Sequence, residues 1–137
     1  MAKDKIHYAV KIALENDGWQ VTDDPLVLFF DDDSVAIDLG AEKLIIAEKG
    51  TEKIAIEIKA FNQPSVIYEF HRAIGQYFNY QTALLEAHEN RKLYVAIPDS
   101  ILQKLMDTLV IRKSIERMQM KFIVVNLETQ RVTKWIE

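Results

Sequence analysis

Charged residues of the types found in metal-dependent hydrolytic sites interrupt two apolar stretches of the sequence. Glu57 and Lys59 lie two positions apart in the stretch 54–61, and Asp38 is the only charge in the stretch 35–39. Because side chains alternate along a β-strand, Glu57 and Lys59 are expected to share one face of their strand. Two carboxylates can hold a hard divalent cation through oxygen, and a nearby lysine can orient or help deprotonate an attacking water.

The same residues have an ordinary structural interpretation. An acid and a lysine at positions i and i+2 occur by chance on many solvent-facing strands, where each pairs across to a neighbouring strand. A site is favoured here because the flanking residues are apolar, which suggests burial, and because Asp38 stands on the preceding strand element within a hairpin's reach. The aspartates at 31–33 are interpreted as a solvated turn, since adjacent acids cannot all converge on one ion from an extended chain.

Apolar periodicity and turn signals predict the elements that position these residues. A helix over 4–17 ends at Gly18, and Ser65 begins a long helix that reaches about Ala87. Gly40 permits a bend between two of the strands, and Lys49 to Thr51 predict a turn. The predicted strands are 19–21, 26–30, 35–39, 44–48, 52–61, 93–97, 122–126 and 132–136, and two helical segments, through 101–106 and over 111–118, precede the last two.

This order of elements predicts an α/β fold with a mixed central sheet flanked by helices. The core order is αβββαβ with a C-terminal helix and strand extension, and the crossover through the long helix makes strands 52–61 and 93–97 parallel. A chain of 137 residues is expected to form a single domain spanning 1–137.

Composition narrows the class of protein. The absence of cysteine excludes a disulfide framework and a thiolate metal site. No apolar stretch approaches the roughly 20 residues needed to cross a bilayer, so no membrane span is expected, and the charged N-terminus makes a cytoplasmic location the default expectation. A net charge of −4 argues against gripping nucleic acid by bulk electrostatics, but a metal-dependent site is itself acidic before the cation arrives.

In this order of elements, Asp38 followed by Glu57-Ile58-Lys59 resembles the PD-(D/E)xK nuclease superfamily, which has a restriction-endonuclease-like three-layer sandwich. The resemblance implies that Asp38, Glu57 and the backbone carbonyl of Ile58 hold Mg²⁺ or Mn²⁺. It also implies that Lys59 positions the attacking water and stabilises charge in the transition state of phosphodiester hydrolysis. Several branches carry a glutamine on the following helix, where Gln76 stands to orient the water or a phosphate oxygen, or only to brace the site.

Three further residues are weaker candidates for substrate binding. Tyr80 lies one helical turn after Gln76 on the same face, and Arg72 lies one turn before it. His7 stands where some branches place an acid on the first helix, and it either orients a phosphate or water or is a half-buried polar residue. The sequence also has Ile37 where the superfamily's nominal pattern has proline.

Most of the chain is similar to the XisH family, which is named for controlling excision of the fdxN element in cyanobacteria. The motifs that carry this resemblance are His7 with Ala9-Val10-Lys11, Asp17-Gly18-Trp19, Asp38-Leu39-Gly40-Ala41-Glu42, Glu57-Ile58-Lys59 and Gly75-Gln76-Tyr77. The family implies a role in programmed DNA rearrangement, with DNA, the companion excision controlling factor XisI and a site-specific recombinase as partners. Cutting of duplex DNA would suit a homodimer.

Two hypotheses follow. The first is a metal-dependent endonuclease-like factor that controls excision, and the second is a catalytically silent nuclease-fold subunit that acts through the companion factor or the recombinase. The other conspicuous residues have structural interpretations. Trp19, Phe70, Tyr77 and Phe78 are predicted to pack in the core, while the basic pairs 91–92 and 112–113 are predicted to be solvated.

Overall fold

The structure is a computed structural model that describes residues 2–45 and 50–137, with side chains from residue 5 onward. Helices and strands alternate in the order expected for an α/β protein. The helices are α1 (Ala2–Asn16), α2 (Val66–Glu86), α3 (Asp99–Asp107) and α4 (Leu109–Met118), and the strands are β1 (Gln20–Asp23), β2 (Leu26–Phe29), β3 (Ser34–Ile37), β4 (Leu39–Ile45), β5 (Gly50–Ile58), β6 (Lys92–Pro98), β7 (Lys121–Asn126) and β8 (Arg131–Ile136). None of the helices in the described part is long and apolar enough to cross a bilayer.

Six strands form one mixed sheet in the order β1-β4-β5-β6-β7-β8. The pairs β5–β6 and β6–β7 are parallel, and the pairs β1–β4, β4–β5 and β7–β8 are antiparallel. The parallel β5–β6 pair confirms the crossover predicted through the long helix. That helix begins where Ser65 accepts a hydrogen bond from the Tyr68 amide, as an N-cap does.

Side-chain alternation along the central strands divides the apolar residues between two cores. Ile54 and Ile56 of β5 pack on the α1 side, whereas Ala55, between them, packs on the α2 side. The α1-side core is built with Val10, Leu14, Tyr94 and Ile123, and the larger core on the other side includes Phe70, Tyr77, Val95, Ile97, Leu105 and Phe122. Helices therefore flank a mixed sheet on both faces, which confirms the predicted three-layer α/β sandwich.

Tyr77 joins α2 to two central strands. Its buried hydroxyl donates to the Leu93 carbonyl at 3.2 Å and accepts from the Lys121 amide at 3.2 Å. These bonds satisfy a polar group that would otherwise be buried without a partner, and they fix the height of α2 on the sheet. The helix that carries Gln76 and Tyr80 is thereby held in register with β6 and β7.

The strand 26–30 predicted from the sequence does not join the central sheet. Strands β2 and β3 instead form a separate two-stranded hairpin, in which Leu26 pairs with Ile37 and Phe29 with Ser34. Its inner face, with Leu26, Leu28 and Ile37, belongs to the core on the α2 side. The aspartates at 31–33 form the turn of this hairpin, which the Phe30 amide closes by donating to the Asp33 carbonyl at 2.8 Å.

Three further predictions from the sequence were wrong. The chain breaks at Asp38, whereas Gly40, predicted as a bulge or bend between two strands, lies inside β4, where its pairing with β1 shifts register. The reason is that Ile37 and Leu39, on either side of Asp38, are buried in different cores. Gly50 and Thr51 belong to β5 and not to a turn, and Phe78 is 57% exposed, not in the core. The predicted strand 44–48 begins within β4, which ends at Ile45, and its residues 46–48 lie with Lys49 outside the described residues.

Candidate functional site

Asp38 is the single residue between β3 and β4, at the point where the chain leaves the hairpin and enters the central sheet. Its carboxylate oxygen Oδ2 accepts a hydrogen bond of 2.8 Å from the Ile58 amide. Ile58 is the last residue of β5, the strand next to β4 in the sheet. The acid predicted from the sequence is therefore anchored directly beside the end of the strand that carries Glu57.

Glu57 is a buried charged residue in an otherwise apolar strand, with a side chain 12% exposed. Burial raises the pKa of its carboxyl from 4.5 to about 7, and the negative charge of Asp38 adds to this, while Lys59 partly offsets it. Its Oε1 atom is buried without a hydrogen-bond partner among the described residues. A buried acceptor that lacks a donor is uncommon in a folded protein, and it marks a place where a cation or donor can enter.

Lys59 follows the end of β5 and lies on the same side as Glu57. Its Nζ is 3.6 Å from Glu57 Oε2, and its side chain is 24% exposed. This confirms the shared face that strand alternation predicted. Because the ammonium group is partly open to solvent, it can reach both Glu57 and a molecule that approaches from outside.

Gln76 and Tyr80 lie one turn apart on α2. Burial raises the pKa of the Tyr80 hydroxyl to about 12, and the charges of Glu57 and Asp38 add to this effect. Gln76 Oε1 is, like Glu57 Oε1, a buried oxygen without a hydrogen-bond partner in the described part of the chain. These two unpaired oxygens lie on β5 and α2, which are two of the elements that carry the predicted site residues.

The donor set fits a hard divalent cation. Carboxylate, amide and carbonyl oxygens are the ligands that Mg²⁺ and Mn²⁺ prefer, and Asp38, Glu57 and Ile58 supply the first and the last of these. Among the side chains of residues 5–45 and 50–137, no three His, Asp or Glu converge as an all-side-chain metal site would require. A cation held here would therefore have two carboxylate ligands and take the rest from backbone, Gln76, water or substrate.

His7 and Arg72 are placed differently from the central set. His7 lines a cleft of about 300 Å³ together with Asp38, Ile58 and Asn62. However, its Nε2 is 2.7 Å from Asp24 Oδ1, so that nitrogen faces a partner on the β1–β2 loop. Arg72 is exposed on α2, one turn before Gln76.

The cleft continues past the site. A larger groove of about 870 Å³ shares Ile6, Ala60 and Asn62 with it and extends to Pro98 and Ser100 at the start of α3. The groove therefore crosses the ends of the parallel strands β5 and β6, where α/β proteins commonly place ligands. Asn62 was not singled out in the sequence, because it follows β5 in an irregular segment that has no period.

The structure differs most from the sequence-based prediction at Arg91. Predicted as part of a solvated pair, its side chain is only 6% exposed. It donates to the Ile54 carbonyl at 3.2 Å and forms ion pairs with Asp23 at 3.4 Å and Glu89 at 3.2 Å. The available signal was its position two residues before the continuous apolar run 93–97. Arg91 connects β1 to β5 within the central sheet, away from the candidate site.

Comparisons with known proteins identify close structural relatives. A family model described as XisH protein matches residues 1–133. The crystal structure of an XisH family protein from Nostoc punctiforme PCC 73102 is 36% identical, with a TM-score of 0.86 over 98% of this chain and 100% of that chain. That of a fdxN element excision controlling factor protein from Anabaena variabilis is also 36% identical, with a TM-score of 0.86 over 98% of this chain and 99% of the other. No curated protein matches the chain.

Proposed function

Because this chain belongs to the XisH family, we propose that it controls the excision of a DNA element through a divalent-cation site that supports phosphodiester hydrolysis. The observation that carries the proposal is the buried, partnerless Glu57 Oε1 beside Asp38 and Lys59. The solved Anabaena variabilis relative is called a fdxN element excision controlling factor, which supports the biological part. A factor that acts on chromosomal DNA would work in the cytoplasm.

Each residue of the site has a role suited to its environment. Asp38 and Glu57 would hold Mg²⁺ or Mn²⁺ with the Ile58 carbonyl, and the cation would polarise the scissile phosphate and lower the pKa of a bound water. Lys59, partly solvent-exposed, can orient that water and stabilise negative charge on the phosphate oxygens. Gln76 can hold the water or a phosphate oxygen through its amide.

The groove that runs from the site gives the substrate a path. Asn62 lines both the cleft that contains Asp38 and the larger groove, which also contains Ser100, and both side chains can donate to phosphate oxygens. The protein's net charge of −4 means that general electrostatic attraction is weak, so binding would depend on the cation and on a second subunit or partner. A homodimer would supply the two sites needed to cut both strands of a duplex.

A second candidate function is favoured by one observation. The Asp38 carboxylate accepts the Ile58 amide, which gives this acid a structural reason to be present even in a protein that does not cut DNA. In that case the chain would be a silent regulatory subunit that acts through the companion excision controlling factor XisI or a site-specific recombinase.

Cleavage assays with matched variants separate the two candidates. Purified protein is mixed with linear, nicked and branched DNA in Mg²⁺ or Mn²⁺, alone and with the companion factor. Lys59→Ala is expected to reduce cleavage about 100-fold or more, whereas Lys53→Ala, which removes an exposed lysine from the same strand, is expected to leave it unchanged. Cleavage that survives Lys59→Ala would reveal a contaminant.

Calorimetric titration with Mn²⁺ tests the cation site without relying on activity. Asp38→Asn keeps an acceptor for the Ile58 amide but removes the charge, so the variant is expected to fold and to lose cation affinity. Cation binding without cleavage in any mixture would favour the regulatory function. Unchanged binding by both Asp38→Asn and Glu57→Gln would reject the site itself.

A further inference from the structure

The outward face of the hairpin β2–β3 is unusual for a solvent-exposed sheet. Val27 and Phe29 point outward from β2, and Ala36 opposite Val27 is also exposed, so the face is mostly apolar. Phe29 is 79% exposed. An antiparallel ribbon with one solvated face normally carries polar residues there, and exposed strands are normally protected by charges such as lysine. On the outward face of this hairpin Ser34, opposite Phe29, is the one polar residue, and the described strands carry no charge there.

The hairpin also has an open edge. Among the described residues, β2 pairs only with β3, while β3 lies against β5 and α2. The backbone groups on the outer side of β2 are therefore available for a further strand. The inner residues Leu26 and Leu28 are buried in the core, so one face of the hairpin is packed while the outer edge of β2 is open.

The turn beside this edge is strongly acidic. Asp31, Asp32 and Asp33 are all exposed, and in the part of the chain that the structure describes none of them forms a salt bridge. The turn itself is ordered, because the Ser34 amide donates to Asp33 Oδ1 at 2.7 Å. Three negative charges next to an apolar face favour a binding partner that carries positive charges beside its apolar residues.

We propose that the β2 edge and the outward face of the hairpin bind an extended segment of a partner protein that alternates apolar residues with lysine or arginine. Such a segment would add a strand to β2, place its apolar side chains on Val27 and Phe29, and place its cations near the turn 31–33. Charge complementarity selects this occupant over nucleic acid, whose phosphates the three aspartates repel.

The same charges disfavour a second copy of this chain. Parallel pairing of two β2 strands would place the two acidic turns side by side. Like charges in direct opposition destabilise strand pairing, so the parallel arrangement is disfavoured. In an antiparallel pair each turn would face the other copy's Asp23 and Asp24, which are already paired with Arg91 and with His7 and Lys11, so that end supplies little attraction for the turn. A basic partner segment therefore complements the turn better than a second copy does.

Binding of synthetic peptides tests this proposal. The probes are three dye-labelled peptides of nine residues: alternating lysine and valine, alternating glutamate and valine, and a block isomer with the lysines first and the valines last. By fluorescence anisotropy at low salt, the alternating basic peptide is expected to bind at least 10-fold more tightly than the other two. Raising the salt concentration should weaken it, since part of the attraction is between exposed charges.

Variants locate the binding surface. Phe29→Ser is expected to weaken binding of the basic peptide at least 10-fold. Replacing all three aspartates of the turn by asparagine should also weaken binding and should reduce its dependence on salt. Leu85→Ser, which alters an equally exposed apolar side chain on α2, is the matched control and should have no effect. All of these positions are exposed, so the variants should fold, as circular dichroism can verify.

Changes in the NMR chemical shifts of backbone amides detect binding that is too weak to measure by fluorescence anisotropy. Titration with the basic peptide to millimolar concentration is expected to shift the amides of 26–37 selectively. No shifts there, equal binding of the three peptides, or an unchanged affinity in Phe29→Ser would overturn the proposal. So would sedimentation showing self-association that Phe29→Ser abolishes, because the occupant would then be a second copy.

Discussion

Replacing Glu57 by glutamine should stabilise the metal-free protein, even though it alters the proposed site. The carboxyl is buried, and its pKa lies near 7 in the folded protein against 4.5 ordinarily. A difference of about 2.5 pH units corresponds to about 3 kcal/mol that the folded protein loses when this group ionises. Glutamine has nearly the same shape and no charge, so it avoids that loss.

The pH dependence follows from which state holds the proton more tightly. The folded protein binds the Glu57 proton more tightly than the unfolded chain, so the group's contribution to stability is complete below pH 4.5 and is lost as the pH rises through about 7. Glu57→Gln should therefore gain about 2 to 3 kcal/mol in unfolding free energy relative to wild type between pH 5 and pH 8.5. Carboxylates far from residue 57 titrate equally in both proteins and cancel in the difference.

Urea unfolding in EDTA, followed by circular dichroism at the two pH values, measures this quantity. Glu52→Gln, on the same strand but paired with Lys92 at the surface, is the control and should show no such gain. Adding Mn²⁺ at pH 8.5 should stabilise wild type and not Glu57→Gln, since only the charged group holds the cation. If Glu57→Gln is less stable than wild type at pH 8.5, or if the difference is the same at both pH values, the reasoning about this carboxyl is wrong.

Three further substitutions test the framework around the site, each by urea unfolding at pH 7. Tyr77→Phe should cost about 1 to 2 kcal/mol, because it leaves a buried amide and carbonyl unpartnered; an unchanged stability would mean that these bonds contribute nothing. Arg91→Met should cost about 2 to 4 kcal/mol, because two acids lose a nearly buried partner, and equal stability would contradict that role. Gly40→Ala should cost about 1 to 3 kcal/mol, since its Cβ would lie 2.8 Å from the Asp23 carboxylate. An Asp23→Ala background should remove only part of that cost, because the Cβ of residue 23 and Arg91 Nη1 would still lie at 3.1 and 3.2 Å, and a full recovery would contradict this reasoning.

The elements with strong periodicity were predictable from the sequence. The helices, the buried strand 93–97 and its parallel partner all follow from patterns within one segment plus the rule for crossovers. The shared face of Glu57 and Lys59 follows from strand alternation alone. The three-layer α/β sandwich is the arrangement these elements allow.

The parts that were not predictable depend on contacts between distant segments. The departure of the hairpin from the central sheet is decided by which core receives Ile37 and which receives Leu39, and neighbouring isoleucine and leucine residues give no sign of that choice. Arg91 is buried because Asp23 and the Ile54 carbonyl come to it from other strands. Phe78 is exposed because it lies on the outer face of α2, next to the buried Tyr77.

The position of Asp38 has a consequence for control. Of the two proposed carboxylate ligands, Glu57 lies in a strand clamped between β4 and β6, whereas Asp38 is the first residue after a hairpin at the edge of the molecule. A displacement of the hairpin would change the spacing between the carboxylates without deforming the central sheet. If the proposed cation site is correct, cation affinity and hairpin position would be linked equilibria: whatever stabilises the hairpin would raise the affinity for the cation, and the bound cation would stabilise the hairpin by the same free energy.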